Sequence, residues 1–140
     1  MRMGVLYTVL IDGEPGAYGA VFPDLPGCTA MGATMEETLV NAAGAATTWA
    51  RVTEAHGGTV RPPRSIAELR ADPDVEADIR ATDAILGVVP LIRDKGETVK
   101  ANLTLPKGVL EAIDAVAKRT GRTRSATVET LAQVGLPLIG

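Results

Sequence analysis

Apolar and polar positions change period several times along this chain, and each change marks an element. From Val99 to Leu105 the two kinds alternate without a break, with Val99, Ala101, Leu103 and Leu105 on one side and Lys100, Asn102 and Thr104 on the other. That is the period of a half-buried β-strand. Pro106 ends it, because proline has no N–H to donate and its φ suits the first turn of a helix. Beyond it, Val109, Leu110, Ile113, Val116 and Ala117 recur at helical spacing between Lys107 and Thr120, and Gly121 supplies a C-terminal stop. Thr123 is the expected N-cap of a second helix, through Val128, Leu131, Ala132 and Val134 to about Gly135.

No further strand follows these helices, so the strand's backbone N–H and C=O groups need a partner from outside, and the nearest is the same strand of a second copy. The segment therefore predicts a homodimer, with further pairing into a tetramer left open. In a two-fold antiparallel pair, the four apolar positions of each copy face a shared helical core. Lys100, Asn102 and Thr104 form a polar outer surface. A two-stranded ribbon fits the major groove of B-DNA, where Lys suits guanine acceptors and Asn suits adenine. Thr123, Arg124 and Ser125, at the second helix's first turn, make an anion site suited to a DNA phosphate.

Nearer the start, Met3 to Ile11 reads as a strand with Val5, Tyr7, Val9 and Ile11 on one face and Leu6 and Leu10 on the other, as in a central strand covered on both sides. Asp12 to Gly16 is a turn, Ala17 to Phe22 a second strand, Pro23 to Gly27 a rigid turn, and Cys28 to Gly32 a third strand. Thr34-Met35-Glu36-Glu37 reads as a capping box that opens a helix to about Ala55, with Met35, Leu39, Ala42, Ala43, Ala46, Trp49, Ala50 and Thr53 on its inner face. His56-Gly57-Gly58 ends that helix, and Thr59 to Arg64 is an extended loop. Ser65 to Glu68 is a second capping box, opening a short helix that Pro73 interrupts; Asp74 to Thr82 has room for another turn or two. Ala84 to Ile92 reads as a buried strand, with Pro90 tolerable only at an edge or near its end. Arg93 to Glu97 is the linker.

Composition narrows the function. With 46% hydrophobic residues but one Trp, two Tyr and one Phe, the core is aliphatic and alanine-rich. A single Cys28 forms no internal disulfide, which fits a reducing cytoplasm. The longest apolar run, Ala84 to Ile92, is far short of the ~20 residues of a membrane span. Met1 to Ile11 is broken too soon by Asp12-Gly13-Glu14-Pro15 to read as a signal peptide. Charge divides unevenly: residues 1–95 hold eight Lys/Arg and thirteen Asp/Glu, whereas residues 96–140 hold six and four. The acidic body suits a basic partner and the basic end suits phosphate. Asp12, Asp24, Glu36 and Glu37 raise a two-metal nuclease, which needs carboxylates converging on ions ~4 Å apart. Two of them sit in turns and Glu37 serves as a cap, so neither metal nor cofactor is expected. Cys28 with His56 makes a weaker nucleophile pair, and Cys28 reads as a packing residue.

Two stretches resemble known families. The run VKANLTLPKGVLEAIDAVAKRTGRTRSATVETLAQVG is similar to a ribbon-helix-helix DNA-binding module. The runs YTVLIDG, YGAVFPDLPGC and GATMEETLVNA resemble the HicB antitoxin domain, whose FPDLPGC turn and following helix start are its recognisable features. The resemblance implies an α+β protein: a partial RNase H-like β-β-β-α-β domain over 1–92, a linker over 93–97, and a ribbon-helix-helix domain over 98–140 that dimerises through its strand. It also implies a non-enzymatic antitoxin that neutralises a HicA-type mRNA-cleaving toxin and represses its own operon by binding operator DNA. Phe22, Asp24 and Leu25 in the turn, and Asp72, Asp74 and Asp78 in the acidic stretch, are the expected toxin contacts. The alternative is a stand-alone ribbon-helix-helix regulator whose N-terminal part senses a ligand or only oligomerises.

Overall fold

The computed structural model describes residues 5–93 and 97–139. Four antiparallel strands form one sheet: β1 (Val5–Glu14), β2 (Ala17–Val21), β3 (Thr29–Gly32) and β4 (Ile85–Leu91), in the order β3-β2-β1-β4. The longest strand, β1, is therefore internal, as its two apolar faces require. Tyr7, Val9 and Ile11 point to one side and Leu10 to the other, and all four are buried.

The helix α1 (Met35–Ala55) covers the first face. Ala42, Ala43, Ala46 and Ala50 are buried against Tyr7, Val9, Ile11, Phe22 and Val89, so small side chains bring the helix close to the sheet. The second face is closed by α2 (Ile66–Ala71) and α3 (Pro73–Thr82), where Leu69, Val75 and Ile79 pack on Leu10. Asp74 to Thr82 thus forms most of a ten-residue helix, longer than the turn or two expected. Asp72 caps it and Pro73 stands at its first position, where a missing N–H costs nothing.

Some local expectations shift. The β1–β2 hairpin is tighter than the composition of Asp12 to Gly16 implies: Leu10 to Glu14 pair with Val21 to Ala17, leaving only Pro15 and Gly16 at the tip. Gly13 lies at φ 103°, and a Cβ there would fall 2.2 Å from the Ala17 carbonyl oxygen, so only glycine fits. Thr34 Oγ1 accepts from the Glu37 N–H at 3.1 Å as expected, but the Glu37 carboxylate accepts from Ala33, one residue earlier, at 3.5 Å. The Ser65–Glu68 box is complete. Finally, among the described residues β4 pairs only with β1, which places Pro90 on an edge; its first half is not buried, with Ile85 57% exposed.

After β4 the chain is tied to α1. Thr47 Oγ1 donates to the Ile92 carbonyl at 2.8 Å, and Arg93 pairs with Glu54. The linker residues 94–96 lie outside the described residues. Two helices complete the chain. The first, α4 (Lys107–Thr120), has the expected bounds and closes on Gly121 at φ 67°. The second, α5 (Arg124–Ile139), runs four residues past the expected end and packs against α4, β4 and α1.

Candidate nucleic-acid and partner-binding surfaces

Residues 97–106 are exposed throughout and form no strand in the single chain. A strand requires a partner, and the sheet's order places none beside this segment. Val99, Leu103 and Leu105 are 84%, 68% and 38% exposed, large apolar side chains left open to solvent. Together with Ala101 they line an open groove of about 560 Å³, whose opposite wall is Leu110, Ile113 and Val128. The apolar half of the alternation therefore faces α4 and α5. Among the expected DNA contacts, the structure brings Asn102, Arg124 and Ser125 to this groove, whereas Lys100 and Thr104 do not line it.

At the start of α5, Thr123 Oγ1 accepts from the Ala126 N–H at 3.0 Å, which is the expected cap. Arg124 is engaged. Its Nε donates to Asp114 Oδ1 at 2.8 Å and its Nη2 to Oδ2 at 2.9 Å, a two-point pair with a carboxylate on α4. The guanidinium holds the Asp114 carboxyl below the usual carboxylate range. Sequence reasoning missed Asp114, because it is ten residues from Arg124 and only the Gly121 turn brings the two helices' ends together. Arg122 is also engaged, donating to Thr130 Oγ1 at 2.8 Å.

The expected toxin contacts divide in two. Phe22 and Leu25 are 3% and 0% exposed, so both belong to the core and not to a contact surface. The reason is the turn's own geometry: Leu25 N–H donates to Phe22 and Cys28 N–H to Leu25, which folds the apolar side chains inward. Asp24 is also buried, accepting from the Arg64 backbone N–H at 2.8 Å and from its Nε at 2.7 Å. Arg64 Nη1 reaches on to Asp72 at 3.0 Å, so one arginine clamps the turn to the cap of α3. That clamp, spanning forty residues, gave no local signal. Asp72 is partly exposed, and Asp74 and Asp78 are exposed on α3. Those three remain accessible.

Burial pushes the Cys28 thiol up to about 11, which disfavours the thiolate a nucleophile needs. His56 closes α1 with its ring Nδ1 on the Val52 carbonyl at 2.8 Å. Among the described residues, no group of three or more His, Cys, Asp or Glu is placed to hold a metal ion, and no helix is long and apolar enough to cross a membrane.

The chain is similar to several solved structures. An antitoxin HicB3 structure is 28% identical, with a TM-score of 0.50 over 91% of this chain and 95% of that one. A HicA3 and HicB3 toxin–antitoxin complex gives 24% identity and a TM-score of 0.53 over 63% of this chain and 99% of that one. The Burkholderia pseudomallei antitoxin HicB aligns over 97% of this chain and 99% of its own at 21% identity, with a TM-score of 0.49. No curated protein matches. The family model described as HicB_like antitoxin of bacterial toxin-antitoxin system matches residues 7–132, nine-tenths of the chain, and the chain belongs to that family.

Proposed function

We propose that this antitoxin neutralises a HicA-type toxin through residues 5–93 and represses its own operon through residues 98–139, acting as a homodimer. The observation that carries the DNA-binding part is the split of the 99–105 segment. Its apolar row and Asn102 line the groove on α4 and α5, while Lys100 and Thr104 stand outside it, and the whole segment is open to solvent. Pairing with the same segment of a second chain would satisfy its backbone, cover Val99 and Leu103, and build a ribbon of major-groove width.

For the toxin-facing part, support comes from the family and from the HicA3–HicB3 complex among proteins of this fold. With Phe22, Asp24 and Leu25 turned inward, the exposed carboxylates of α3 are the better candidates. Asp74 and Asp78 stand one helical turn apart, and Asp72 heads the same helix. This acidic face suits a basic RNA-binding partner, and covering that partner would exclude its substrate by steric and electrostatic means. No catalytic step is assigned.

The test uses the full chain with the small protein encoded beside its gene and with the promoter upstream. Co-purification, loss of that protein's RNA cleavage, and binding of promoter over scrambled DNA are expected together. DNA binding without a protein partner would favour the stand-alone regulator, and RNA cleavage by this chain alone would overturn the antitoxin assignment.

A further inference from the structure

We infer that Asp114 acts as an internal stand-in for a DNA phosphate, occupying the Arg124 fork in the free protein and yielding it when DNA binds. It is a positioning residue, and it acts on all DNA sequences alike. This deepens the DNA-binding reading above and rests on it.

Three observations carry it. The pair is two-pointed, with Nε–Oδ1 at 2.8 Å and Nη2–Oδ2 at 2.9 Å, which is the fork geometry a guanidinium offers to a phosphate. Both partners are open to solvent, at 43% and 60% side-chain exposure, so the exchange of one anion for another needs no rearrangement of the core. Third, the partners come from different elements. Arg124 is the first residue of α5, in the turn whose backbone N–H groups have no partner within the helix, while Asp114 reaches it from α4. The carboxylate thereby parks the guanidinium where an incoming phosphate would meet both the fork and the helix N-terminus.

Release has a measurable signature. When phosphate takes Arg124, the freed carboxylate gathers a cation from solution, which offsets one of the counterions that DNA gives up. Wild-type protein thus shows a shallower salt dependence than its phosphate contacts alone would produce.

The experiment compares full-length wild type, Asp114→Asn, Asp114→Glu, Arg124→Gln and the double variant Asp114→Asn/Arg124→Gln. Anisotropy titrations use the promoter duplex and a scrambled duplex of equal length, across a salt series. Asp114→Asn is expected to tighten both duplexes by a similar factor, on the order of tenfold for a dimer, and to steepen the salt slope by about one ion per chain. Asp114→Glu behaves as wild type. In the Arg124→Gln background, Asp114→Asn changes neither quantity. An unchanged or weakened affinity in Asp114→Asn, or a gain that persists without Arg124, overturns the inference while leaving the DNA-binding reading intact. Failure of the wild type to bind either duplex overturns both. Thermal melts accompany each variant, and Asp114→Ser repeats the test if Asp114→Asn melts early.

Discussion

Residues 5–93 and residues 97–139 solve the same problem differently. In the first region one chain satisfies its strands: β1 has a neighbour on each side, both faces of the sheet are covered, and Tyr7, Val9, Leu10 and Ile11 are all at or below 4% exposure. In the second, an alternating segment has no neighbouring strand among the described residues, and Val99 and Leu103 lie at 84% and 68%. Identical physics, a strand with an apolar side, gives a finished core in one place and an unfinished surface in the other. The difference is the availability of a partner within the chain. On the proposed reading, the first region serves stability and the second serves assembly.

The largest expected effect tests the finished half. Leu69 is fully buried and joins α2 to the second face of the sheet. Leu69→Ala should cost ~2–5 kcal/mol in denaturant unfolding without altering oligomeric state at native conditions. Leu103→Asp should do the reverse. It would place a carboxylate of each chain in the apolar groove, weakening self-association by at least about a hundredfold in sedimentation while melting of residues 5–93 is retained. If both substitutions moved both readouts together, the division into a finished and an unfinished half would fail.

Two smaller effects sharpen it. Asn102→Ala should remove ~1–3 kcal/mol of base discrimination per contact, read as a lower promoter-to-scrambled ratio with dimerisation intact. Equal loss on both duplexes would instead place Asn102 among the backbone contacts. The smallest effect is on acid stability. The Asp72 carboxyl is held low, first by the Arg64 hydrogen bond and then by the Asp74 N–H. A carboxyl whose folded pKa lies below its unfolded value, about 3.9, stabilises the fold above that value, and the contribution fades as pH falls through the folded pKa. Asp72→Asn should therefore lower stability at neutral pH and flatten its decline below about pH 4, as followed by circular dichroism.

Much of this was legible in residue order. Period alone placed β1, α1 and α4, because their apolar positions repeat over many residues, and Thr34, Ser65 and Thr123 cap helices as their side chains require. Long-range pairs were not legible. Nothing near Asp24 indicates that Arg64, forty residues on, bonds it, so an acidic turn residue looked like a contact surface when it is a buried anchor. Phe22 and Leu25 misled similarly, since a Pro-Asp-Leu-Pro turn reads as exposed until its backbone bonds roll it inward. The Asp114–Arg124 pair hid for the same reason, spanning two helices whose juxtaposition depends on Gly121.

The most direct test of the proposed assembly is amide hydrogen exchange of the full chain over Val99 to Leu105, measured at protein concentrations above and below dimer formation. Slow exchange at high concentration that becomes fast on dilution, or on Leu103→Asp substitution, is the predicted result, since among the described residues of one chain no backbone acceptor pairs with those N–H groups. Fast exchange at every concentration would contradict the pairing, and with it the ribbon on which the DNA-binding proposal stands.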